Sequence, residues 1–318
     1  MCMAIAGLFA ASAGAQMSDV QPVSAALSKA LQAQRATKMG IDSTDVLWGW
    51  DARLQSVTFT PPTGVPTRTL KIPNARGVAA DSVFGILTLT SDGKGVQKVA
   101  KDGTAALAAT LDEPASDIAW LDASSFLVTP MHGVSRVESW DLVTGTRLLR
   151  MGSEPEVVAR PGLVRHRTVQ VQYRPATKEI FTFDTFLGDL QVFNAQGRAT
   201  RRAGTVHWHL HASQAEMDRR DKEAAAAGRK ETYSMNLWPS FSIDRGGSVW
   251  LADKSGDGSV SAVILAANGT TRRETLSGIP CTALTFVLWR DWFVTFRDPG
   301  MLSREPCTSV MELRRLRP

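Results

Sequence analysis

Five signatures that would announce a reaction are missing from this 318-residue chain. It has no Gly-x-Ser-x-Gly nucleophile elbow, no Walker loop, no dinucleotide fingerprint, no His-Glu-x-x-His pair and no cysteine zinc framework. Cysteine is scarce, with three in all, and two Tyr stand against nine Trp. The apolar run Ala4 to Ala15 is too short to span a bilayer as a helix. Charge is nearly balanced, 36 Lys and Arg against 31 Asp and Glu, for a net +5. That permits anionic partners without requiring them, because the charges are dispersed. The one basic cluster, Arg314, Arg315 and Arg317, reads as a solvated tail, so no nucleic-acid partner is expected.

What is present is a repeat. Five apolar strand-like runs end in a turn centred on glycine, at Gly64, Gly103, Gly145, Gly197 and Gly269, and a second run follows each. Glycine supplies the positive φ that such turns need. The intervals of 39, 42, 52 and 72 residues describe a unit of about 40 residues, twice lengthened by insertions. Four-strand units of that length form a β-propeller, an all-β fold that adds one core per blade and so escapes the size limit of a single core. Trp48, Trp50, Trp120, Trp140, Trp250, Trp289 and Trp292 fall in the strand-like runs, where their rings can fill the space between facing sheets.

The first residues set the compartment. Residues 1–15 read as a signal peptide ending at Ala13-Gly14-Ala15, although no Lys or Arg precedes the run, which points to a start further upstream. A periplasmic or secreted protein follows. Cys2 leaves with the leader, and Cys281 and Cys307 then form an even pair that favours a disulfide over two buried thiols. Val23 to Lys38 has helical spacing and no β-branched run after Val23, so an amphipathic helix is expected there.

Second strands can be placed near Val46, Phe84, Phe126, Ile180, Val249 and Phe293, which gives six blades over 44–318. The fifth unit shows the blade most clearly, with Ile243-Asp244, two glycines, then Val249-Trp250-Leu251-Ala252-Asp253. That pattern resembles the repeat of the NHL and TolB-like six-bladed propellers. The resemblance implies a fold and no active site. The last unit stops at its third strand, so a strand within Thr37 to Asp45 is expected to complete the last sheet, residues 16–43 serving as helix and closure.

Alternating strand direction puts first-to-second and third-to-fourth turns on one face, and second-to-third and blade-to-blade connections on the other. The second set holds both long insertions, Ser153 to Arg167 and His207 to Asn236, and all five histidines. Long loops on a rigid scaffold are the usual place for binding, so His132, His166, His207, Trp208, His209 and His211 are the expected ligand-binding residues. In an extended His207-Trp208-His209-Leu210-His211 the three imidazoles share a side and could chelate a divalent metal, with Asp253 a further ligand. Alternatively they face water or bond the following loop. Ala212 to Lys230 is alanine-rich and charged behind Ser213, which predicts a helix within the insertion between blades four and five, 207–236. Asp253 to Gly258 resembles the start of a calcium loop, but Ile264 stands where the distal carboxylate belongs, so it reads as a polar turn.

Two functions remain. One is a non-enzymatic module that binds a protein, peptide or cell-envelope ligand on the long-loop face. The other is a metal-dependent hydrolase resembling the gluconolactonase and lactonase propellers, which place ligands around a metal at the central channel. Asp253 sits at a position like that family's Val-x-Asp aspartate, but its Glu-Gly-Pro segment in the first blade is missing here.

Overall fold

A computed structural model describes residues 36–63, 68–131, 135–153, 169–184, 189–203, 219, 222–223, 225–228, 241–254, 260–276, 285–297 and 307–312. The protein is an all-β propeller. The first sheet holds β1 (Lys38–Ile41), β2 (Leu47–Asp51), β3 (Ser56–Thr60) and β4 (Arg68–Lys71). The second holds β5 (Gly77–Asp81), β6 (Gly85–Leu89), β7 (Gly95–Val99) and β8 (Ala105–Thr110). The third runs β9 (Ala115–Trp120), β10 (Ser125–Pro130), β11 (Ser135–Asp141) and β12 (Arg147–Ser153). The fourth runs β13 (Val169–Arg174), β14 (Glu179–Asp184), β15 (Asp189–Asn194) and β16 (Ala199–Ala203). The fifth runs β17 (Phe241–Ile243), β18 (Val249–Lys254), β19 (Val260–Leu265) and β20 (Thr271–Leu276). The last sheet has three strands among the described residues, β21 (Thr285–Trp289), β22 (Trp292–Arg297) and β23 (Cys307–Glu312). Every pairing is an antiparallel neighbour in sequence, so the chain finishes each sheet before it starts the next.

The core lies between sheets rather than within one. Trp48, Trp50 and Phe59 of the first sheet pack on Val78 and Ile86 of the second. Leu87 and Val96 of the second meet Ile118, Phe126 and Trp140 of the third. Val137 and Met151 meet Ile180 and Phe193, and Phe181 and Phe183 meet Phe241 and Leu251. Trp250 and Ile264 meet Phe286 and Phe293. The circuit closes where Val287, Trp289 and Val294 of the last sheet pack on Ala36, Met39 and Leu47 of the first. Six of the seven tryptophans assigned to strands are buried, and Trp292 is partly so.

The turn glycines Gly103, Gly145, Gly197 and Gly269 lie between the third and fourth strands of their sheets. Gly145 has φ +65°, and a Cβ there would lie 2.7 Å from the Ala108 carbonyl oxygen, so the turn presses on the outer strand of the preceding sheet. Gly269 has φ +84° and open space around it.

Two expectations are corrected. The segment Thr37 to Asp45 does not complete the last sheet. Its strand β1 pairs with β2 over Lys38↔Trp50 to Ile41↔Leu47, which gives the first sheet its inner strand. Gly40 makes that pairing possible, since any Cβ would fall 2.4 Å from the Trp48 ring. Among the described residues the seam between the last and first sheets is closed by side-chain contacts, and the first sheet already includes Lys38, ahead of the expected start at residue 44. The expected helix over Val23 to Lys38 also ends too late, because Lys38 is already in β1 and Thr37 N–H donates to the Trp50 carbonyl. Its remainder lies outside the described residues, as does the signal peptide over 1–15. No complete helix is among the described residues. Within the insertion, Ala227 N–H donates to the Glu223 carbonyl across a single helical turn.

Candidate functional site

The first strand of each sheet lines a central cavity of about 650 Å³. Such a strand pairs on one side only, so the N–H and C=O groups of its other edge need partners or water. Polar side chains of neighbouring inner strands supply many of them. Asp117 Oδ2 accepts from Val171 N–H at 3.0 Å, and Ser116 Oγ donates to the Val169 carbonyl at 3.1 Å. Gln172 Nε2 donates to the Phe241 carbonyl at 2.8 Å, and Leu288 N–H donates to Ser242 Oγ at 2.8 Å. Lys38 reaches past the second sheet, donating to the Val78 carbonyl at 3.1 Å and forming an ion pair with Asp117. Its ammonium lies 5.9 Å from the Trp48 ring centroid. Trp50 lines the same wall, and its buried indole N–H has no acceptor among the described residues.

Strand direction divides the channel. Inner strands begin at the end carrying the long connections, so Lys38, Asp117, Gln170 and Phe286 lie there. They finish at the short-turn end, where Asp42, Asp45, Asp81, Arg174, Arg245 and Arg290 stand. At this end carboxylates staple turns. Asp42 Oδ1 accepts Thr44 and Val46 N–H at 2.8 and 2.9 Å, while its Oδ2 takes Ser82 N–H of the next sheet at 2.9 Å. Asp81 answers by accepting Ser43 N–H at 2.9 Å, besides Val83 and Phe84 N–H in its own turn. Asp244 accepts Ser248 N–H at 3.0 Å and Trp250 Nε1 at 3.2 Å. Burial pushes the Arg174 guanidinium below its usual pKa, against the opposing pull of Asp244 and Glu179. Its Nη groups donate to the Asp244 and Arg245 carbonyls.

Beneath the long-connection end lies a buried ion pair. Arg136, at the start of β11, is wholly inaccessible to solvent and donates to Asp189 Oδ2 at 2.9 Å and Thr182 Oγ1 at 2.6 Å. The pair joins the third and fourth sheets.

The residues expected to bind ligand or metal, His132, His166, His207, Trp208, His209 and His211, lie outside the described residues. Asp253 is within β18, opposite Ser261. Cys307 opens β23 opposite Arg297, and Cys281 lies outside the described residues. Among the described residues no three His, Cys, Asp or Glu side chains gather so as to hold a metal. The strand ends that lead into the histidine-bearing segments, Pro130 and Ser135, Ser153 and Val169, Ala203 and Phe241, all lie at the same end of the ring by strand order. Sequence reasoning missed the cavity residues Lys38, Asp117, Arg174 and Arg290. One signal was available: an apolar residue followed by Asp closes four inner strands, at Ile41-Asp42, Ala80-Asp81, Leu121-Asp122 and Ile243-Asp244.

No protein-family model matches the chain, and no curated protein matches its sequence. Solved structures do resemble it. A streptogramin B lyase superposes with TM-score 0.51 at 10% identity, covering 87% of this chain and 82% of its own. Virginiamycin B lyase from Staphylococcus aureus gives 0.50 at 9%, covering 80% and 75%. A protein of unknown function from Bacteroides thetaiotaomicron gives 0.53 at 8%, covering 86% and 68%. At such identities the likeness shows the propeller fold alone.

Proposed function

We propose that the chain is an exported six-bladed propeller of the NHL and TolB-like kind, its three-stranded sheet counting as the sixth blade. It binds a protein, peptide or cell-envelope ligand at the long-connection mouth of its channel. The observation that carries this reading is the cavity itself, lined by inner strands of every sheet and by Trp50, whose buried indole N–H lacks an acceptor among the described residues. A buried donor left without a partner is destabilising by about 1–3 kcal/mol, and a bound group or water removes that penalty. His132, His166, His207, Trp208, His209 and His211 form the rim in this reading, and the leader directs the protein to the periplasm or outside. Replacing His207, His209 and His211 with alanine leaves the melting temperature nearly unchanged and abolishes capture of the ligand from an envelope extract. Full capture by that variant overturns the reading.

The lyases named above work within this fold, so an enzymatic role is the second reading, here as a metal-dependent hydrolase using His207, His209, His211 and Asp253. Elemental analysis of protein purified without a metal-affinity tag separates the two. One zinc or copper per chain, lost in the triple variant, selects the hydrolase. Cys281 and Cys307 form a disulfide in either case, closing a loop of about 25 residues that the chain-entropy account rates at about 3 kcal/mol. Thiol titration of the unfolded, unreduced mature protein finds none. Two reactive thiols would rule the bond out.

A further inference from the structure

We propose that the short-turn mouth of the channel is a second site, which holds a carboxylate-bearing ligand through Arg174, Arg245 and Arg290. Two guanidiniums from different sheets converge there on a single oxygen: Asp45 Oδ2 accepts from Arg290 Nε at 2.6 Å and from Arg245 Nη2 at 3.0 Å. Each guanidinium carries five N–H donors, so both keep most of theirs uncommitted among the described residues. Arg174 approaches through the backbone of Asp244 and Arg245, and its Nη groups meet carbonyl oxygens. The other carboxylates of this mouth are committed elsewhere. Asp42 and Asp81 accept backbone N–H groups, and Asp244 accepts a backbone N–H and an indole N–H.

Two of the three cations therefore share one carboxylate that is free of turn duties, on the wall of an open cavity, and the third stands beside them on backbone carbonyls. Asp45 already occupies the place a ligand's carboxylate would take, as the shared acceptor of two charge-assisted hydrogen bonds. Its backbone is fixed in that position: φ is +67°, and its carbonyl accepts Trp289 Nε1 at 3.0 Å. Ile41, Tyr173 and Ile243 line the same mouth and offer apolar surface to the rest of the molecule. The site is separate from the long-connection mouth and stands or falls independently of the function assigned there.

Calorimetric titration of the full chain with citrate tests it. Asp45→Asn keeps an acceptor, tolerates the positive φ and removes the competing charge, so citrate binds about fivefold more tightly. Arg245→Ala alters a side chain that is 55% exposed, so the fold persists. That variant weakens citrate about tenfold or more, the loss of one charge-assisted hydrogen bond. Arg245→Lys recovers part of the affinity. Triglycine and its C-terminal amide, run alongside, distinguish a peptide terminus from a free organic acid: Arg245-dependent binding of the free acid form alone also supports the site. The proposal is overturned if neither citrate nor triglycine binds the wild type or Asp45→Asn at millimolar concentration. It is equally overturned if Arg245→Ala binds as the wild type does, or if Asp45→Asn binds no more tightly.

Discussion

The two ends of the channel are built by different means. At the short-turn end, connections of a few residues are stapled by aspartates that accept their own turn's N–H groups and those of the next sheet. At the long-connection end, the strands are held from below, by the Arg136–Asp189 pair between the third and fourth sheets and by Lys38–Asp117 across the channel. A turn that hydrogen-bonds itself has little freedom to change length. An end anchored beneath its loops can carry insertions without losing its strands, and this is the end where the chain spends its long segments.

The largest expected effect breaks the anchor. Asp189→Ala leaves the Arg136 guanidinium buried without its carboxylate, which destabilises by about 3–5 kcal/mol. A shift in the urea midpoint amounting to under about 1 kcal/mol would show that the pair is not what holds this end. A second test sharpens the contrast within the short-turn end. Gly145→Ala forces both a positive φ and a 2.7 Å approach to the Ala108 oxygen, whereas Gly269→Ala meets only the backbone strain of about 1–2 kcal/mol. The first is expected to be clearly the more destabilising, and equal losses would mean that the turn does not bear on its neighbour.

The smallest effect is electrostatic. The Thr104 hydroxyl and N–H hold the Asp102 carboxyl below its usual range, and the Thr144 N–H and hydroxyl do the same for Asp141. A lowered pKa in the folded state means stability that is present above the unfolded value near 3.8 and is lost as pH falls through the folded value. The fourth and fifth sheets use Asn194 and Asn268 at the same turn, where no proton is exchanged. Asp102→Asn with Asp141→Asn should flatten the acid side of a melting-temperature profile. An unchanged profile would assign the acid sensitivity to other carboxylates.

Turn glycines and tryptophans made the propeller legible because every blade must solve the same problem of reversing a strand and filling the gap to its neighbour. The second strands of the five four-stranded sheets stand where Val46, Phe84, Phe126, Ile180 and Val249 placed them, give or take a residue at the boundary, and Phe293 lies in the middle strand of the three-stranded sheet. The closure was misread because Lys38 to Ile41 is too short and too polar to show which sheet it joins, and only the Gly40–Trp48 contact decides it. The cavity was illegible for another reason. Lys38 and Asp117 are 79 residues apart, and Asp45 and Arg290 are 245 apart, so no local pattern relates them. The histidine cluster was legible because three imidazoles within five residues form a local pattern.

The seam between the first and last sheets sets a timetable for synthesis. Its contacts, Trp289 and Arg290 on Asp45 and Val294 on Met39 and Leu47, have sequence separations near the length of the whole domain. Each earlier sheet can form as its own hairpins leave the ribosome, since its pairings are between consecutive strands. The first sheet, however, keeps the apolar surface of Ala36, Met39 and Leu47 uncovered until β21 and β22 have emerged. A nascent chain paused before that point presents a greasy flank at its oldest end, and chaperone engagement should concentrate there.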